Sequence, residues 1–277
     1  MSWVQQQRSK LASPASTTAP AGASTQSNQH LRSQAPTSAA GPSAAAELAG
    51  IELAEHPGET RQETPGSGLS EAELDAQRPE GTPIPTELRD RMLATLRTTP
   101  AMTEVLAAIA AAGTSTLDVR WSRRGGYHSR GRIFLDRNAT EPSWLSTLAH
   151  ELVHLQAYVE GKSADVRTQT RDAYVDTHMT EEIRAHATTF IALMQLGRLS
   201  APTTGFNDFI AHLEQQRPDL LASFLDPAEE AQKWADVRAL AEPWLEDQYR
   251  NHWVGSATGQ NYYQKWGAHW DAQHPSP

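Results

Sequence analysis

From Pro83 onwards apolar residues recur at helix or strand spacing, whereas before it they are too sparse for either. Leu88, Met92, Leu93 and Leu96 fall at three- and four-residue intervals after Pro83-Ile84-Pro85, which predicts a helix capped by Thr86. A second helix is expected over Met102 to Ala112, closed by Gly113. The period then shortens. Thr116 to Trp121 and Arg132 to Leu135 alternate or run apolar on either side of RRGGYHSRG, and the Gly-Gly pair predicts a β-hairpin. Trp144, Leu145, Leu148, Leu152 and Leu155 return to helical spacing, from a start at Glu141-Pro142-Ser143 to a stop at Gly161. Further helices are expected at about 180–197, 206–215, 217–225 and 227–252, the last broken or kinked at Pro243. No internal repeat is visible at periods of about 20 to 50 residues.

Composition divides the chain near the same place. Residues 1–83 are rich in Ser, Ala, Thr, Pro and Gln, as in PASTTAPAGASTQSNQ, and bury too little apolar surface to offset chain entropy, so they are expected to be a disordered leader. The first 46 residues hold no acid and carry Arg8, Lys10 and Arg32, so the net −9 of the 277-residue chain becomes −12 for the remainder. A negative balance without clustered Lys and Arg gives no footprint for nucleic acid. No stretch is apolar enough for a membrane span, and the N-terminus has no run resembling a signal-peptide core. The expectation is a protein that stays in the producing cytoplasm or leaves by a specialised route. With no cysteine, any metal must be held by His, Asp or Glu.

The helix starting at Glu141 contains His150-Glu151-Leu152-Val153-His154. Positions four apart lie one above the other on a helix, so both imidazoles can reach one ion. Glu151 is about 100° around from His150, near enough to reach water on that ion without ligating it. A divalent ion lowers the pKa of water, and a neighbouring carboxylate can take the proton as water attacks a carbonyl carbon, then return it to the leaving amine. Zinc is the default ion for such a donor set.

The run STLAHELVHLQ after RIFL resembles the active-site helix of the zincin metallopeptidases, over roughly residues 115 to 195. In that family the preceding strand forms a sheet edge that pairs with extended substrate. The resemblance implies an α+β, mainly helical zincin-like domain over 84–277, one zinc per chain, a protein or peptide substrate, and His150 and His154 as ligands with Glu151 as general base. The same run is similar to a motif in metallopeptidase-like proteins of phage-tail-like injection systems. With the acid-poor leader, it implies a secreted or injected effector or toxin, with secretion machinery as a partner. The alternative is a non-catalytic zincin-like component of such a system.

A third ligand is needed. The metzincin pattern would place a glycine at Ala157 and a ligand at Glu160, and without that glycine the helix carries Glu160 away. In the gluzincin branch the ligand is a glutamate on the next helix, and Glu182 before Ala185-His186 is similar to that pattern. Glu182 lies at the margin of an apolar face of Ile183, Ala187, Phe190 and Met194, while Glu181 is expected to point nearly opposite. Both acids would also suit the first turn of a helix starting at Thr180. His186, one turn on, is an alternative ligand or a partner to a carboxylate. Tyr174 and His178, expected in the loop between the two ligand helices, are candidates to stabilise a transition state. Asp172 and Asp176 are weaker candidates to orient a histidine. The late aromatics, Trp234, Trp244, Trp253, Tyr262, Tyr263, Trp266 and Trp270, are expected to pack helices.

Overall fold

The computed structural model describes residues 71–123, 125–198, 200–223, 230–254 and 259–275. The leader up to residue 70 lies outside them. Residues 71–83, assigned to the leader from composition, instead start the fold. Helix α1 (Glu71–Gln77) buries Leu74, and the chain after it runs along the sheet. Arg78 lies over the rings of Trp144 and Trp121, 4.7 and 5.4 Å from their centroids. Asp75 pairs with Arg137, which is fully buried. Such contacts attach a segment with little apolar surface of its own.

Helices α2 (Thr86–Arg97) and α3 (Pro100–Ala111) follow. Thr86 is the first residue of α2 and not its cap, since Pro85 holds the cap position without a side-chain bond. The side chain of Thr99 does cap α3, accepting from the Met102 N–H at 3.3 Å, with Pro100 in the first turn.

Strands β1 (Asp118–Ser122), β2 (Tyr127–Ser129) and β3 (Arg132–Asp136) form one sheet in the order β1-β3-β2. β1 and β3 run parallel, and β2 is antiparallel to β3. The expected hairpin between Thr116–Trp121 and Arg132–Leu135 is therefore corrected: the hairpin joins β2 to β3. Arg130 and Gly131 both have positive φ, 48° and 79°, as the two central residues of a tight I′-type turn require. Reading RRGGYHSRG as a loop hid a strand too short and polar to show an apolar period. β3 is the central strand and not an edge, so the strand RIFL is not where an extended chain would add. The far side of β1 is covered by residues 81–84, where the Ile84 N–H donates to the Val119 carbonyl at 3.0 Å and the Trp121 N–H to the Thr82 carbonyl at 2.9 Å.

Helix α4 (Glu141–Val159) ends at Gly161, φ 67°, where the Lys162 N–H donates back to the Ala157 carbonyl at 2.8 Å. The next helix, α5 (Arg171–Gln195), starts nine residues before the expected 180 because Thr170, not Thr180, caps it by accepting from the Ala173 N–H. Then come α6 (Phe206–Gln216), α7 (Pro218–Ser223) and α8 (Glu230–Asp247), which passes through Pro243 and widens into a π-helical turn over Gln248–His252. A final helix, α9 (Tyr262–Gln273), was not legible in the spacing. Asn261 and Gln264 form a capping box at its start.

Two apolar clusters result. One lies between the sheet, α2, α3 and one side of α4. The other lies between α5, α6, α8, the π turn and α9, and the late aromatics pack there as expected. The chain is thus mainly helical with one small sheet. Among the described residues no helix is long and apolar enough to cross a membrane. α4 and α5 meet between the clusters and are buried on more than one side. Leu148 of α4 is fully buried in the first cluster. Leu148→Ala is expected to lower the unfolding free energy by about 2–5 kcal/mol, read from urea denaturation of the full chain.

Candidate metal centre

The histidine side of α4 faces α5. His150 and His154 share this face because they are four residues apart, and Leu148, Leu152 and Leu155 take the side toward the first cluster. On α5, Glu181 and Glu182 sit near the middle of a 25-residue helix. They are not in a first turn, so the helix dipole does not account for them. Their side chains are only 11 % and 10 % exposed. Acids so buried need partners, and α4 supplies them.

His150, His154 and Glu182 bring three ligand atoms together in a group that could hold a metal ion. His150 Nε2 and His154 Nε2 are 3.0 Å apart, and Glu182 Oε2 is 3.5 and 3.7 Å from them. Donors about 2.0–2.2 Å from one tetrahedral ion would be roughly 3.4 Å from each other, so this triangle fits with little adjustment. Glu182 Oε2 is buried and makes no hydrogen bond of normal geometry. An oxygen left in that state suits a cation. Among the described residues the group has three members and not four.

Glu181 does not point away. Its Oε1 accepts from His154 Nδ1 at 2.7 Å, which turns Nε2 toward Glu182 and fixes the tautomer a ligand needs. The expectation failed because it assumed one buried face on α5. This helix packs on the second cluster with one side and on α4 with another, so adjacent acids can both point inward.

The other candidates fall around this group. Glu160 caps the end of α4 and bonds to Gln156 and Lys162, away from the triangle. Asp172 and Asp176 are exposed on the first turns of α5, and the orienting acid is Glu181 instead. Tyr174 and His178 lie within α5 and not in a loop. His178 is one turn before Glu182 and stacks flat on Trp266, centroids 3.8 Å apart, while Tyr174 is buried edge-on against it. His186 lies behind His150, ring edge to face at 4.4 Å, and its Nδ1 shares a 2.6 Å hydrogen bond with the Tyr249 hydroxyl. Glu151 is buried on α4.

Two residues close to the group escaped the sequence reading. Tyr249 comes from the π turn, whose register no apolar period announces. His128 is on the overlooked strand β2.

The charges explain what the group does without an ion. Burial alone would drive the His154 proton off, but Glu182 and Glu181 outweigh it and hold the imidazole well above its ordinary value. Burial alone would protonate Glu182, yet His154 and His150 keep the carboxyl well below its usual range. Burial lowers His178 to about 3 and His128 to about 4, so both are neutral. Burial and the nearby Glu182 raise Tyr249, which keeps its proton.

No protein-family description, curated protein or solved structure matches the chain.

At neutral pH the metal-free centre carries a proton on His154 that an ion must displace. That proton's stabilising effect on the metal-free chain is full below the ordinary histidine value and lost as pH rises through the raised one. Metal affinity is therefore expected to rise with pH, by up to about tenfold per unit, with a proton released on binding. Zinc titration calorimetry in buffers of different ionisation enthalpy reads both, and a flat profile would contradict it. Glu181→Gln is expected to weaken the metal about 10- to 100-fold without abolishing it, whereas Glu182→Ala abolishes it; equilibrium dialysis separates the two.

Proposed function

We propose that the chain is a zinc-dependent peptidase of the zincin type, in which His150, His154 and Glu182 hold the ion and Glu151 is the general base. The observation that carries this reading is the triangle of two imidazole nitrogens and one carboxylate oxygen on neighbouring helices, with Glu151 next to one of its corners. Two nitrogens and an oxygen at such separations suit zinc, and three protein donors correspond to a catalytic rather than a closed structural shell. When bound, the ion supplies Lewis acidity, polarising a carbonyl and lowering the pKa of water.

The chain's own residues do the remainder. Glu181 keeps the proton of His154 on Nδ1, so that Nε2 stays a donor. His186, bonded to the buried Tyr249 hydroxyl, packs behind the His150 ring and restrains its tilt. The Glu151 carboxylate takes a proton from the attacking water and passes it to the leaving amine nitrogen. The leucines of α4 and the packing of α5 hold these groups in place before substrate arrives.

A non-catalytic zincin-like module is the rival, and it calls for either a fourth donor closing the shell or no metal at all. His186 or an Asp would have to fill that fourth place, and among the described residues the donor group holds His150, His154 and Glu182 without them. The hydrolytic reading is therefore the better supported. Export as an effector rests on the composition of the first 46 residues and on the similarity of the His150–His154 run to the motif of injection-system metallopeptidase-like proteins.

Glu151→Gln is expected to bind the same amount of zinc as wild type and to lose about 10²- to 10⁴-fold in peptide hydrolysis. Metal analysis beside cleavage of a mixed peptide library checks both, and undiminished cleavage would remove Glu151 from its role.

A further inference from the structure

β2 lies along α4 and not merely beside β3. A Cβ on Gly126, just before the strand, would overlap Thr147 Cγ2 of α4, so the backbone there touches the helix directly. At the other end a Cβ on Gly131 would lie 3.6 Å from Tyr158 Cε1. Strand and helix therefore run side by side in the same direction, from Thr147 to Tyr158. Two residues of strand advance about 6.6 Å, which is roughly four residues of helix. Counted from the Gly126–Thr147 contact, that puts residue 128 level with Glu151.

The sheet register says which way its side chain faces. His128 is paired with Ile133, which is buried on the inner face of the sheet. Directly opposed residues in an antiparallel pair share a face, so His128 projects on the side of α4. Tyr127, on the other face, stacks on Phe134 at 4.4 Å. The His128 ring lies 5.3 Å from that of Tyr158, one turn past His154. It is partly exposed, as a group lining a cleft would be.

Its protonation pattern is set by the turn. The Gly131 N–H donates to His128 Nε2 at 3.1 Å, so Nε2 is an acceptor and the ring proton of the neutral imidazole is on Nδ1. Burial favours that neutral form, and Glu151, His154 and Glu181 are close enough to act on it. Among the described residues nothing accepts from Nδ1–H.

Resting on the peptidase reading, we propose that His128 is a further catalytic residue. Its Nδ1–H, oriented by the Gly131 N–H, donates to the scissile carbonyl oxygen as that oxygen takes up negative charge. The proton stays on Nδ1 throughout, and the strand supplies from one wall of the cleft a donor that complements the base on the other. Donors fixed in advance at a developing oxyanion act mainly on the transition state, so the effect belongs in kcat.

Three measurements on the full chain test this. In metal-free wild type, imidazole ¹⁵N shifts should show His128 as the Nδ1–H tautomer at neutral pH; an Nε2–H tautomer overturns the proposal. In zinc-loaded protein, a peptidyl phosphonate, whose tetrahedral anion resembles the charged intermediate state, should bind about 10²-fold more weakly to His128→Ala, with part of the loss recovered in His128→Asn. Equal binding in wild type and His128→Ala, absence of binding to wild type, or loss of zinc from His128→Ala would each overturn it. In hydrolysis, His128→Ala should lower kcat about 10²-fold with KM and zinc content unchanged; an unchanged kcat overturns it. If wild type binds the phosphonate through His128 but cleaves no peptide, the peptidase reading fails while the donor assignment stands.

Discussion

Two carboxylates and two imidazoles buried at the seam of α4 and α5 dominate this structure. Ionised groups there lose most of their hydration, and the loss is tolerable only when opposite charges and hydrogen bonds replace the water. The pairing of Glu181 with His154 and the convergence of Glu182 on both histidines meet that condition. The same requirement fixes the register of the two helices, because sliding either by one residue would leave an acid facing hydrocarbon. The donor group and the helix packing are therefore set by one contact.

The remaining architecture serves that seam from both sides. The sheet, α2 and α3 press on one side of α4, while α6, α8 and α9 press on the far side of α5. Tyr249 reaches through the second cluster to His186, and His186 touches His150, so aromatic packing continues to the edge of the donor group. β2 adds a polar wall that neither apolar cluster would supply.

What the sequence revealed depended on local periodicity. The α4 helix was legible from Trp144, Leu145, Leu148, Leu152 and Leu155, and the pair His150 and His154 from a spacing of four. Glu182 was legible from its distance and flanking residues, and it joins the donor group. Glu181 was misjudged because an apolar face on α5 marks one packing partner only. β2 was invisible because three half-exposed residues between glycines look like a turn, and its pairing with β3 is long-range information. α9 carries its aromatics without a clean apolar stripe, so only tertiary contact defines it. Tyr249 depends on a π turn after Pro243, where the helical count slips.

α5 is one unbroken helix that carries Glu181 and Glu182 in one half and Phe190, Ile191 and Met194 of the second cluster in the other. A rigid rod shared in this way makes ion capture and the docking of the late helices thermodynamically reciprocal. Free energy released when an ion binds is felt as added resistance to unfastening α8 and α9, and loosening those helices weakens the grip on the ion by the same factor. The late helices, whose described residues add no member to the donor group, would thereby be a determinant of its affinity for an ion.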